Sequence, residues 1–200
     1  MQLASDVSIQ RRHIQRRHIA AWMTGALPVL VAVVSASAQP LSDPATGLAI
    51  TAPPGYVART TTATGTYTVA FDVKKPDDKD TGCRVAFQPV PQNASLTQDD
   101  INAFTAKPEW PDLVRTTLSR LYEIISLDPF EHAGVRGAVV AGDFKLPPNA
   151  PPRAGEIRSW LVLLETPKGR TSVACVAEKS SFDARRGEFD AVAHGVTLPK

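Results

Sequence analysis

Apolar and polar residues alternate along two parts of the chain, and a stretch with helical spacing separates them. In the first part Tyr67, Val69, Phe71 and Val73 recur at every second position, which is typical of a strand with one buried face. A charged turn follows, and the alternation resumes over residues 83–87. Two strands joined by a short polar turn predict an antiparallel hairpin.

Between these parts, residues 97–123 carry the signals of two short helices. Thr97 is a favourable N-cap residue, and two aspartates follow it where the helix dipole favours negative charge. Pro108 ends the first helix, and Pro111 suits the first turn of a second one. The apolar positions with helical spacing, which predict a buried stripe, are Leu96, Ile101, Phe104, Leu113, Val114, Leu118, Leu121 and Tyr122.

The second alternating part begins near residue 123 and predicts four more strands. The first two are joined at Ala133–Gly134, and the third, residues 156–166, is the most apolar. The fourth contains Cys175 and runs back after a short turn. A proline-rich loop, Pro147–Pro152, lies before the third strand.

A last helix and a short edge strand complete the predicted fold. Ser180 with Asp183 predicts a capping box, Phe182 and Phe189 predict a buried face, and Gly195 predicts the C-cap. Runs of hairpin strands with few helices are typical of the α+β class. We predict an antiparallel sheet of six to eight strands, with the kinked helical unit and the C-terminal helix packed against it in two layers.

The first 38 residues have the order of a secretory signal peptide. Four arginines precede an apolar run over residues 19–34, and Ala36-Ser37-Ala38 has the pattern that signal peptidase accepts. The apolar run is short for a membrane-spanning helix. We predict cleavage after Ala38, a single domain over residues 39–200, a periplasmic or secreted location, and no stable membrane anchor after cleavage.

Cleavage would also change the charge of the chain. The full sequence has a formal net charge of +2, and the signal removes four arginines and one aspartate, which leaves about −1. A near-neutral domain lacks the strongly positive surface through which proteins bind nucleic acids and anionic membranes. We therefore predict no nucleic-acid partner.

The two cysteines, Cys83 and Cys175, both lie in predicted strands. Export would place them in an oxidising compartment, and only one intramolecular pairing exists. The C-x-x-C spacing of redox pairs is absent, and the histidines that remain after cleavage, His132 and His194, are distant from both cysteines. A structural disulfide is the prediction, with two reduced buried thiols as the alternative.

The order of elements over residues 46–199 matches a known layout. It is carried by "GLAITAPPGY", the strand "TYTVAFDV", the central helical unit, and the late block from "SWLVLLETPKG" to "HGVTLP". In these features the chain resembles the PsbP-like proteins, small exported or organellar α+β domains with a central antiparallel sheet. The resemblance implies an assembly or accessory factor, a role that often lacks enzymatic activity. The resemblance does not assign a function to any individual residue of this chain.

Candidate reactive groups are few. His194 follows Asp190 by four residues, which is the nearest approach to a hydrolase dyad, but no G-x-S-x-G motif supplies a serine. Residues 77–82 cluster carboxylates as a calcium loop does, yet they depart from the EF-hand pattern, and a solvated turn is the favoured interpretation. We predict no metal site, no cofactor and no catalytic residue.

The remaining candidates are surfaces. Trp110 lies between two prolines at the helix break. A ring that fills the break is the favoured interpretation, and an exposed ring that anchors a partner is the alternative. Tyr56 is a second aromatic suited to a partner-binding surface. The Pro147–Pro152 loop is a third candidate. The sequence thus predicts a non-enzymatic accessory or binding protein of the bacterial cell envelope, with an unidentified envelope protein as partner. A small hydrolase using His194 and a carrier of a small apolar ligand are the alternatives.

Overall fold

The computed structural model describes residues 39–200, and the predicted signal peptide, residues 1–38, lies outside the described residues. The elements in chain order are β1 Leu41–Ser42, β2 Ala49–Ile50, β3 Val57–Thr61, β4 Val69–Lys74, β5 Gly82–Pro89, α1 Gln98–Thr105, α2 Glu109–Leu118, β6 Tyr122–His132, β7 Val135–Phe144, β8 Ile157–Thr166, β9 Gly169–Glu178, α3 Phe182–His194 and β10 Val196–Thr197. Within this part of the chain, no helix is both long enough and apolar enough to cross a membrane.

Seven strands form one antiparallel sheet in the order β3-β4-β5-β9-β8-β7-β6. The predicted hairpins β4–β5, β6–β7 and β8–β9 are all present. β5 pairs with β9 near the centre of the sheet, and this pairing joins the early strands to the late ones. β1, β2 and β10 form a separate three-stranded sheet. The predicted α+β class, with six to eight strands in the main sheet, is confirmed.

Helices cover both faces of the large sheet, so the domain has three layers and the expectation of two layers is wrong. α3 packs on β8 and β9, whereas α1 packs on β7 and α2 on β6. Side chains alternate along each strand, so one set faces α3 and the next faces α1 and α2. The α3 side includes Phe71, Val85, Trp160, Val162, Val173, Phe182, Phe189 and Val192. The opposite side includes Trp110, Val114, Ala138, Val140 and Leu161.

The helix ends follow the sequence in part. Thr97 caps α1 in a complete capping box with Asp100, as its N-cap signal predicts. The predicted box at Ser180 is wrong, because α3 begins at Phe182 after Ser181, whose side chain makes no capping bond. Gly195 is the C-cap residue of α3, as the sequence predicts. Its backbone has right-handed helical dihedral angles, which residues other than glycine also adopt. A Cβ there would lie 2.3 Å from the carbonyl oxygen of Thr51, so the close chain approach requires glycine.

Candidate functional site

The disulfide fixes the centre of the sheet. Cys83 and Cys175 are directly opposite each other in the β5–β9 pair, and the structure joins them across 92 residues of sequence. Both are buried on the side that α3 covers. The bridge is therefore structural, and it ties the strands before α1 to those after α2.

Tyr56, the second candidate for a partner-binding surface, is buried. Its hydroxyl donates to Glu188 Oε2 at 2.7 Å and accepts from Arg185 Nη2 at 2.9 Å, and both partners lie on α3. Burial raises the pKa of Tyr56 to about 12, although the hydrogen bond from Arg185 opposes this rise. Tyr56 thus connects α3 to the loop before β3.

The same arginine binds the turn over residues 77–82, whose carboxylates resemble those of a calcium loop. Two nitrogens of Arg185 donate to the two carboxylate oxygens of Asp78, each at 2.9 Å, and Thr81 also donates to Asp78. Asp80 is paired with Arg153 instead. The carboxylates of Asp78 and Asp80 therefore face guanidinium groups, an arrangement that competes with cation binding. The favoured solvated turn is only partly right, since Asp78 is largely buried.

The Asp78–Arg185 pair makes the stability of the fold depend on pH in the acidic range. Burial alone would raise the pKa of Asp78, but hydrogen bonds from Arg185 and Thr81 outweigh it and hold the pKa below its ordinary value. A carboxylate with a lowered folded pKa stabilises the fold above its ordinary pKa of about 3.9 and loses that effect as the pH falls through the folded value.

We expect Arg185→Met to lower the free energy of unfolding by about 2 kcal/mol at pH 7, because it leaves the Asp78 carboxylate without its partner. The deficit should shrink at pH 3, since protonated Asp78 no longer needs a cation. Urea unfolding at both values measures this. Arg186→Met, at the exposed neighbour, is the matched control and should change stability by less than about 0.5 kcal/mol. A deficit that is equal at both pH values would contradict the assignment.

The proline-rich loop is anchored at one end. Arg153 donates to Asp80, Glu156 and Glu178, which ties the loop to the β4–β5 turn and to β9. Pro147, the first of its prolines, is exposed. Whether this loop contacts a partner stays a prediction.

Trp110 is also buried, with 6% of its surface exposed, which agrees with the favoured interpretation of a ring that fills the helix break and not with the alternative of an exposed indole. α2 begins one residue earlier, at Glu109, and its first turn carries the ring into the cluster on the sheet with Val140 and Leu161. Its Nε1 group has no hydrogen-bond partner among the described residues. Phe104 packs edge-on against the indole, with ring centroids 5.6 Å apart.

The apolar side chains around the buried indole are exposed to solvent. Phe104 is 48% exposed and Leu113 is 51% exposed, although the helical pattern predicted both to be buried. Val114 does lie in the core. Adjacent apolar residues such as Leu113 and Val114 cannot share one narrow helix face, and this was the signal that an apolar patch would remain in solvent.

Two cavities open beside Trp110, with volumes of about 240 and 350 Å³. Both are bordered by Trp110, Leu113 and Arg170. We call this surface the Trp110 groove and define it by Leu96, Phe104, Trp110, Leu113, Leu163 and Arg170. It lies between the α1–α2 unit and the sheet, on the side opposite α3.

The ion pair between Arg170 and Glu165 forms the polar side of the Trp110 groove. Arg170 donates through Nε to Glu165, which is buried. Asn93 donates to the Glu165 carboxylate at 3.3 Å, and Gln98 donates to its backbone oxygen at 3.1 Å. A guanidinium has five N–H donors, and Glu165 engages the one on Nε, so the terminal nitrogens of Arg170 can bind a further acceptor.

His194 lies at the end of α3, far from the Trp110 groove in sequence. Its Nδ1 faces His132 Nδ1 at 3.3 Å, and its Nε2 lies 3.6 Å from Asp190 Oδ2. No serine hydroxyl within residues 39–200 is hydrogen bonded to its ring. The arrangement therefore gives no support to a serine nucleophile activated by His194.

Comparison with known proteins shows the fold. No family model matches this sequence, and no curated protein matches it. The chain is similar to the solution structure of cyanobacterial PsbP (CyanoP) from Synechocystis sp. PCC 6803, with a TM-score of 0.52 and 16% sequence identity over 88% of this chain and 98% of that chain. At this identity the likeness shows the fold alone, and the resemblance to PsbP-like proteins is confirmed at that level.

Proposed function

We propose that this protein is an exported accessory protein of the bacterial cell envelope that acts by binding a protein partner through the Trp110 groove. The observation that carries the proposal is the group of large apolar side chains exposed around a buried tryptophan, bordered by an arginine. Exposed apolar clusters with a polar rim are typical of protein-binding surfaces. The PsbP-like fold supports an accessory role by analogy.

The chemistry of the groove favours a partner segment with one apolar side chain beside a carboxylate. Phe104 and Leu113 offer apolar walls, and Arg170 offers terminal N–H groups that have no acceptor within residues 39–200. Arginine binds a carboxylate through two parallel hydrogen bonds, which adds specificity to apolar contact.

The cavity sizes distinguish this proposal from a ligand carrier. Ligand pockets usually occupy about 300–1,000 Å³ and enclose most of the ligand. The two cavities here lie at or below the small end of that range and are open to solvent. They suit single side chains of a partner better than an enclosed apolar molecule.

Site-specific photocrosslinking in cells tests the proposal. A benzophenone amino acid in place of Phe104 should capture one envelope protein, because that position lies on the wall of the Trp110 groove. Leu113→Asp in the same chain should reduce the crosslinked product at least about tenfold, because it buries a charge in an apolar contact. Since Leu113 is exposed in the free protein, this variant should fold normally.

A benzophenone in place of Arg186, exposed on α3 at the other face of the sheet, is the matched control and should not capture the same protein. Capture that is unaffected by Leu113→Asp would contradict the proposal. A small molecule retained at the groove in native mass spectra, with no protein captured at position 104, would favour the carrier instead.

A further inference from the structure

Two histidines that are 62 residues apart in sequence meet at one end of the domain. His132 ends β6, just before a two-residue turn in which Ala133 and Gly134 have φ values of 52° and 78°. His194 is the last residue of α3. Their Nδ1 atoms lie 3.3 Å apart and their ring centroids 5.2 Å apart.

The position of the proton on His132 follows from its neighbour. His132 Nε2 lies 2.6 Å from the carbonyl oxygen of Val196, and a carbonyl oxygen only accepts. The proton of the neutral ring is therefore on Nε2, and Nδ1 carries a lone pair that points toward His194.

The surroundings of His194 favour the same arrangement. The carboxylate of Asp190 lies 3.6 Å from His194 Nε2, which favours a proton on that nitrogen. With protons on both Nε2 atoms, two Nδ1 lone pairs face each other. Such a pair is repulsive unless a proton or a cation lies between the nitrogens.

We propose that His132 and His194 bind one divalent first-row transition-metal ion of the class that prefers imidazole, represented by Zn²⁺ and Cu²⁺, through their two Nδ1 atoms. Nitrogens bound at 2.0–2.1 Å to one tetrahedral zinc lie about 3.3 Å apart, with the ring centroids about 5.1 Å apart. The 3.3 and 5.2 Å separations of His132 and His194 match this geometry. The ion would lie between the two Nδ1 atoms and accept both lone pairs.

The groups around the rings act as a supporting shell. Histidines that bind metals usually donate their other N–H to a carbonyl or a carboxylate, which fixes the tautomer and the ring orientation. The Val196 carbonyl has this position for His132, whereas the Asp190 carboxylate lies 3.6 Å from His194 Nε2 and acts on it through charge rather than through a hydrogen bond. The ring of Phe130 packs beside His194, with centroids 5.1 Å apart, and restricts its rotation.

The site differs from a closed structural metal centre. No group of three or more His, Cys, Asp and Glu side chains that could share a metal occurs within residues 39–200, so water would complete the coordination. Two imidazole ligands favour Zn²⁺ and Cu²⁺ over Ca²⁺ and Mg²⁺, which prefer oxygen ligands. A bound ion would join the β6–β7 hairpin to α3 and β10.

Isothermal titration of ZnCl₂ into the purified protein tests the proposal, with CaCl₂ as the negative control ion. We expect one Zn²⁺ per chain and no saturable Ca²⁺ binding. The double substitution His132→Gln with His194→Gln should weaken Zn²⁺ binding at least about tenfold. Asp190→Asn, which alters the supporting shell, should weaken it by a smaller factor.

The predicted cleavage after Ala38 would remove His13 and His18, so an exposed arginine of α3 supplies the matched control. Arg186→Gln should leave Zn²⁺ binding unchanged. Equal affinity in the wild type and the His132/His194 variant would overturn the proposal, as would the absence of saturable Zn²⁺ binding in the wild type. Because glutamine at position 132 keeps an N–H donor for Val196, the variant should retain its circular dichroism spectrum.

A spectroscopic measurement separates metal binding from a structural role of the histidines. Cu²⁺ added to the wild type should give an electron paramagnetic resonance spectrum with splitting from two equivalent nitrogens, and the His132/His194 variant should lose it. A spectrum with oxygen ligation alone would overturn the proposal even if the variant were less stable.

Discussion

Phe189→Ala is expected to lower the free energy of unfolding by about 4 kcal/mol, because a buried phenylalanine replaced by alanine loses its burial and leaves a cavity. Phe189 is fully buried at the centre of α3. Its ring contacts Trp160 on β8, with centroids 6.2 Å apart, and Phe182 on its own helix, with centroids 6.1 Å apart. It therefore connects α3 to the sheet.

Equilibrium unfolding in urea measures this loss. Phe104→Ala is the matched control, since the same side chain is removed from a position that is 48% exposed, and it should cost about 1 kcal/mol or less. Equal losses for the two substitutions would contradict the packing of α3 on this face of the sheet.

Reduction of the Cys83–Cys175 disulfide should have the second large effect, a loss of about 4 kcal/mol in the free energy of unfolding. The bridge closes a segment of 92 residues, and opening it restores conformational entropy to the unfolded chain. Thermal unfolding with and without reductant measures the loss as a lower melting temperature.

The double substitution Cys83→Ala with Cys175→Ala provides the control for this experiment. It should melt near the temperature of the reduced wild type, and reductant should not change it further. A wild-type melting temperature that reductant leaves unchanged would show that the bridge does not stabilise the fold.

Local signals in the sequence were sufficient to predict most of the strands. Ala133 and Gly134 mark a two-residue hairpin turn, and both have positive φ in the structure. The alternation through Phe71 and Val73 reports a buried face directly, because successive side chains in a strand point to opposite sides.

The placement of the helices could not be predicted in the same way. A helical stripe shows that one face of a helix is buried, but it does not show which face of the sheet receives it. α1 and α2 lie opposite α3, and the sequence contained no local signal for this. The choice depends on how β5 and β9 pair across the chain, which is a long-range property.

Trp110 and Tyr56 are both buried, and the physical reason differs between them. Trp110 lies at a break between helices, and the first turn of α2 directs it into the core. Tyr56 is buried because Arg185, 129 residues later, binds its hydroxyl. No property of the residues adjacent to Tyr56 reveals that partner.

The Trp110 groove includes the helix break that the sequence singled out, but the side chains exposed there are different ones. The prediction selected the indole, whereas Phe104 and Leu113 are the side chains that solvent reaches. Arg170 was not selected at all, because its role depends on the turn between β8 and β9 that brings it beside Glu165.

The affinity of the protein captured at position 104 is the most direct test of binding through the Trp110 groove. Calorimetric titration of that protein should give at least about tenfold weaker binding to Leu113→Asp than to the wild type. Arg186→Asp, which places the same charge on the opposite face, should bind within about twofold of the wild type. Equal affinities for Leu113→Asp and the wild type would contradict the proposed function.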